Sequence, residues 1–141
     1  MALTPSNVLN NTATPGIAAE IYLPDQLFAG GFQPVSEVVT VLSGQVFPRG
    51  TVLGKITASG KYIKSLSAAV DGSQNPVAIA ADAVDATAGD VSAGVYFAGE
   101  FNSNALTLGA SWTTATVAAA LRSVSIFVKT LATDLSNADA T

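Results

Sequence analysis

Through the middle of the chain, apolar and polar positions alternate in short runs cut by glycine and proline. Residues 38–42, Val-Val-Thr-Val-Leu, close at Ser43 and Gly44, which predicts a strand. Pro48, Arg49 and Gly50 read as a turn, because proline presets one turn angle and glycine accepts a positive φ. Residues 51–57 form the next strand, with Val52, Gly54 and Ile56 on one face. Ala58, Ser59 and Gly60 then turn the chain into residues 61–65, where Tyr62 and Ile63 point to opposite sides, completing a hairpin pattern.

The cluster Asp71, Gly72, Ser73, Gln74, Asn75 and Pro76 predicts a loop, followed by a short buried strand over residues 77–80. Residues 81–89 read two ways: their alanines suit a helix, while Asp82, Asp85 and Gly89 suit a loop. Two later strands, at 95–97 and 100–101, are divided by Gly99 as a candidate bulge. One helix is expected over residues 115–122, capped by Thr113 or Thr114. Residues 123–128 return to strand alternation. The expected organisation is an N-terminal arm over 1–19, one β-rich domain over 20–129 and a small polar tail over 130–141.

The arm carries no charge before Glu20 and no period of either kind, with Pro5, Pro15 and Gly16 breaking it up. It reads either as a frayed terminus or as a segment that extends along a partner's strand edge.

Composition narrows the chemistry. The 141 residues include no cysteine and no histidine. That excludes disulfides, zinc–thiolate sites, thiol nucleophiles and a Ser-His-Asp triad. Charged residues make up only 11% against 49% hydrophobic, so the chain as a whole is not disordered and its surface is unusually neutral. A net charge of −4 argues against nucleic acid as the main partner, and no apolar run is long enough to span a bilayer. The N-terminal residues lack the basic-then-apolar layout of a secretory signal.

Charge is also segregated. Residues 38–70 hold Arg49, Lys55, Lys61 and Lys64 without an acid, and residues 71–100 hold Asp71, Asp82, Asp85, Asp90 and Glu100 without a base. The two blocks either balance within one subunit or register neighbouring copies in a ring.

Short motifs carry little. The glycines at 50, 54 and 60 with Lys55 and Lys61 miss the phosphate-loop spacing and lie in a hairpin rather than before a helix. Asp82, Asp85 and Asp90 lack the alternate spacing of a helix–loop–helix calcium site. As a glycosidase pair they lack an aromatic platform, and Trp112, the only tryptophan, sits just before the helix cap as a core or interface residue. Asn10-Asn11-Thr12 fits the glycosylation pattern, which has meaning only in an exported chain. No metal or cofactor site is expected.

Three ordered blocks carry a resemblance. The first is Tyr22-Leu23-Pro24-Asp25-Gln26-Leu27-Phe28-Ala29-Gly30. The second is Gln45, Arg49-Gly50-Thr51-Val52-Leu53-Gly54-Lys55-Ile56-Thr57 and Gly60-Lys61-Tyr62. The third runs Ala69-Val70-Asp71-Gly72-Ser73-Gln74-Asn75-Pro76-Val77-Ala78-Ile79, then from Asp82 through Val84 and Asp85 to Gly89 and Asp90. With Gly99-Glu100-Phe101-Asn102 and the capped helix, the chain from Tyr22 to about Val128 resembles the head decoration proteins of tailed phages, the lambda protein D family.

The resemblance implies a mainly β fold, a small β-clip or open-barrel-like domain with one short helix near 114–122 and an extended N-terminal arm. It implies a structural virion protein without enzymatic activity, a homotrimer on the outer surface of the expanded head at three-fold and quasi-three-fold sites. There it would cement the major capsid protein against packaged DNA, with no role for nucleic acid or membrane as partner. By position, the arm residues Thr12, Thr14, Pro15 and Ile17 are candidates for capsid contact, and Arg49, Lys55, Asp82, Asp85 and Trp112 are candidates for the trimer interface. Two rival readings stand beside it. One is a carboxylate hydrolase built on Asp82, Asp85 or Asp90; the other is a virion-displayed host- or glycan-binding module that reads through the loop at 71–76.

Overall fold

The computed structural model describes residues 26–130. Eight strands follow in order: β1 (Val35–Val41), β2 (Val46–Phe47), β3 (Val52–Lys55), β4 (Tyr62–Lys64), β5 (Pro76–Ala80), β6 (Val84–Asp85), β7 (Val91–Asn102) and β8 (Ile126–Lys129). A 3-10 turn (Ser103–Ala105) and one helix, α1 (Thr114–Arg122), lie between β7 and β8.

Five strands close on themselves in the order β1-β4-β3-β5-β7, because β7 also pairs with β1. The β1–β7 ladder is antiparallel from Val35 opposite Ala98 to Val41 opposite Val91. The closing seam is narrow. β1 meets β4 in parallel at one residue pair, Val41 with Tyr62, backed by the Leu42 amide donating to the Tyr62 carbonyl at 3.1 Å. β8 extends the sheet beyond the ring, parallel to the end of β7, and β2 and β6 form a separate two-stranded ribbon.

Alternation along the strands feeds two cores. Leu53, Ala78, Ala80, Ala93 and Val95 point into the barrel with Val41, Phe47, Tyr62, Val84 and Ala86. Their sequence neighbours Val52 and Ile79 point out into a second core with Leu27, Phe101, Val117, Leu121 and Ile126. Strands β3 and β5 are therefore covered on both faces and read as continuous apolar runs rather than as clean alternation. The alanines suit the barrel because a ring of only five strands leaves a narrow interior. Fully burying one leucine or phenylalanine contributes about 1.5–3 kcal/mol, so Leu53 and Phe101 are main supports of their cores.

The helix starts where its cap residue predicts. Thr113 Oγ1 accepts from the Thr116 amide at 3.2 Å, and Thr116 Oγ1 accepts from the Thr113 amide at 3.0 Å, a reciprocal box that satisfies two otherwise orphaned donors. Val117 and Leu121, one turn apart, bury the inner face.

The structure corrects several local expectations. The two strands divided at Gly99 are one strand of twelve residues; Gly99 takes φ +146° within it, and the register irregularity lies opposite Val35 and Ser36 instead. Residues 81–89 are loop apart from the two residues of β6. The last strand begins at Ile126, because Ser123 caps the helix and Ser125 turns the chain at φ +64°. The 51–57 strand stops at Lys55, where residues 57–59 start the hairpin turn.

Candidate functional site

The arm candidates Thr12, Thr14, Pro15 and Ile17 lie outside the described residues. Residues 27–29, near the start of the described chain, are fastened to the barrel. Leu27 is buried in the second core, and its carbonyl accepts from the Asn102 amide at 2.8 Å. Phe28 bridges to Phe101 and stacks edge-on against Tyr96 at 5.1 Å. The Ala29 amide donates to the Glu100 carbonyl at 3.0 Å.

Glu100 then secures the next turn. Its Oε2 accepts from the Phe32 amide at 3.3 Å, and its Oε1 lies 2.7 Å from Lys129 Nζ. The hydrogen bond from Lys129, then that from Phe32, hold the Glu100 carboxyl below the usual carboxylate range. Whatever pulls on the N-terminal segment therefore pulls on β7 and β8.

The five interface candidates are distributed unequally. Arg49 is half-buried; its Nε donates to the Ala81 carbonyl at 2.8 Å, and its guanidinium stands 6.0 Å from the centre of the Phe28 ring. It thus ties the turn before β3 both to the β5–β6 loop and to the N-terminal strap. Lys55 is exposed at the end of β3. Asp82 is exposed in the loop after β5, and Asp85 is exposed on β6 across from Val46. The Thr87 hydroxyl and amide both donate to Asp85 and lower its pKa. Trp112 is half-buried against the second core, its indole N–H donating to Ser65 Oγ at 3.2 Å.

The two charge blocks meet within one subunit at Lys61 and Asp90, whose carboxylate also accepts from the Ser43 amide at 2.9 Å. Lys55 and Lys64 on one side, and Asp82 and Asp85 on the other, make no ion pair among the described residues. Every carboxyl with a resolved shift, Asp71, Asp85, Asp90 and Glu100, is pushed down by donors rather than up by burial. That stabilises the charged form, the reverse of what a general acid at neutral pH requires.

One surface had no signal in the sequence. The first six residues of β1 pair with β7 on one side, while pairing with β4 begins only at Val41. Val38 is 74% exposed and Val35 49% exposed, and Phe32, also exposed, meets the Phe127 ring at 5.9 Å. The run at 38–42 reads simply as a strand, since the open edge arises from where β4 begins, at Tyr62 beside Val41, rather than from β1 itself.

Compared with known proteins, the chain matches the family model described as bacteriophage lambda head decoration protein D over residues 17–127. The match covers the barrel, the ribbon, the helix and the start of β8, and reaches Ile17 but not Thr12, Thr14 or Pro15. No curated protein matches the chain.

Proposed function

Because this chain belongs to the bacteriophage lambda head decoration protein D family, a structural component of the phage head, we propose that it works as a homotrimer on the outside of the expanded head. It sits at three-fold and quasi-three-fold sites among subunits of the major capsid protein and stabilises the shell against packaged DNA. The observation that carries this reading is the extent of the family match, which takes in nearly every element of the described fold rather than one motif.

Physical features support the details. A cyclic trimer needs a head-to-tail contact in which two different patches of one subunit meet on its neighbours. Exposed Lys55 and exposed Asp82 and Asp85 provide patches of opposite sign. Arg49 and Trp112, each half-buried within its own subunit, complete that contact with the part of their surface left outside. The arm, through Thr12, Thr14, Pro15 and Ile17, grips the capsid.

Three arms on one trimer make each grip after the first effectively intramolecular, so individually weak contacts suffice. Stabilisation then follows from preference alone: a ligand that binds the expanded lattice better than the compact one shifts the equilibrium toward expansion. Electron cryomicroscopy of heads incubated with the purified chain tests this. Trimeric density on the outer surface at the three-fold positions is expected; bare three-fold positions at saturating protein would overturn it.

A further inference from the structure

Asp71 and Gly72 form the only Asp-Gly or Asn-Gly pair in the chain. An aspartate followed by glycine is chemically fragile, because no side chain shields the next amide nitrogen. That nitrogen attacks the side-chain carboxyl carbon, and a water made from the acid's hydroxyl and the amide proton leaves. A five-membered succinimide results. Water then opens the ring at one carbonyl or the other, giving back aspartate or leaving isoaspartate, in which the main chain runs through the former side chain. One water leaves and one enters, so mass and charge are unchanged.

Glycine at 72 is not replaceable here. Its φ is +105°, and a Cβ would stand 2.2 Å from Thr57 Oγ1 and 2.9 Å from the Lys55 carbonyl oxygen. The fold therefore requires the fragile pair, and neighbouring side chains occupy both reacting groups. The Gly72 amide, the nucleophile, donates to Gln74 Oε1 at 2.8 Å. Asp71 Oδ1 accepts from the Ser73 amide at 3.0 Å and from the Ser73 hydroxyl. The Asp71 carbonyl accepts from the Thr57 amide at 2.9 Å.

Ser73 is itself immobilised. It is buried, and its carbonyl accepts from Ser65 Oγ at 2.8 Å, the same hydroxyl that receives the Trp112 indole N–H. For ring closure the carboxyl must rotate out of the Ser73 donors while the Gly72 amide leaves Gln74. The first movement breaks contacts anchored through buried Ser73, and the second breaks the Gly72–Gln74 hydrogen bond.

We propose that Asp71–Gly72 is this chain's site of spontaneous aspartate isomerisation, and that Ser73 and Gln74 hold the folded loop out of the reaction. The Ser73 hydrogen bonds also keep the Asp71 carboxyl below its ordinary pKa, favouring the carboxylate, which has the poorer leaving group. The inference does not depend on the capsid role, although a virion protein that is not replaced after assembly is one in which such damage accumulates.

The test is prolonged incubation of the full chain at physiological temperature and neutral pH, with isoaspartate at position 71 quantified by peptide mass spectrometry and isoaspartyl methyl labelling. The native chain, the same chain unfolded in urea, Gln74→Ala and the acceptor-preserving Gln74→Glu are compared, with thermal melts confirming which variants are folded. The native chain should isomerise far more slowly than the unfolded one. Folded Gln74→Ala should accelerate by roughly tenfold, the change expected from about 1.4 kcal/mol in a barrier, and Gln74→Glu should remain near the native rate. If Gln74→Ala does not fold, the native-against-unfolded comparison still decides. Equal rates in native and unfolded chain, or a folded Gln74→Ala no faster than wild type, would overturn the proposal.

Discussion

Lys61 Nζ stands 2.5 Å from Asp90 Oδ2, joining the basic and acidic blocks of the central sequence within a single subunit. The pair bridges the start of the β4 hairpin arm to the turn before β7, close to the narrow seam that Val41 and Tyr62 close. Part of the charge segregation is thus neutralised within the chain, while Lys55, Lys64, Asp82 and Asp85 make no ion pair among the described residues.

The pair sets a pH dependence. The Lys61 hydrogen bond, then that from Ser43, lower the Asp90 pKa, and Lys129 does the same for Glu100. A carboxylate whose folded pKa is depressed adds stability that is complete above its unfolded value, about 4, and lost as pH falls through the lower folded value. Asp90→Asn should therefore melt below wild type at neutral pH, with the gap closing in acid. Thermal melts by circular dichroism across that range check it; a gap independent of pH would contradict the assignment.

Truncation inside the two cores should cost far more than any surface change. Leu53→Ala in the barrel is expected to lose about 2–5 kcal/mol, and Phe101→Ala in the second core about 3–5 kcal/mol. Denaturant unfolding monitored at Trp112 measures both.

Thr113→Ala removes the acceptor for the Thr116 amide and should lower stability by about 1 kcal/mol. Thr113→Ser keeps the hydroxyl and should retain most of it. Denaturant midpoints separate the two variants.

What was legible in the sequence and what was not follows from the range of each interaction. The helix was readable because its cap and its alanines act within one turn, and the β3–β4 hairpin because Gly60 adopts φ +72° between two alternating runs. Ser123, Val124 and Ser125 alternate like a strand, yet Val124 belongs to the second core and its amide bonds back to Leu121, a contact that only the helix can supply. Gly99 looked like a break, but β8 pairs beside it and carries the strand through. Of the candidate site, the types of charge were visible, while their partners were not: nothing local joins Arg49 to Ala81 or Trp112 to Ser65.

Opposite patches make a prediction about assembly. If the proposed trimer joins Lys55 to Asp85 of a neighbouring copy, Lys55→Glu should weaken it and combining that change with Asp85→Lys should restore it, since the two reversals recreate an attractive pair. Sedimentation velocity reads both; a double variant no better assembled than Lys55→Glu would remove these residues from the contact.

A chain that cements the expanded shell must bind that shell in preference to the compact one. Purified full-length chain incubated in parallel with expanded and with compact heads, both stripped of decoration, and then sedimented with them measures that preference directly. Saturable co-sedimentation with expanded heads at a fixed ratio to capsid subunits, and little with compact heads, is the predicted result. Equal binding to both, or binding to neither, would contradict it.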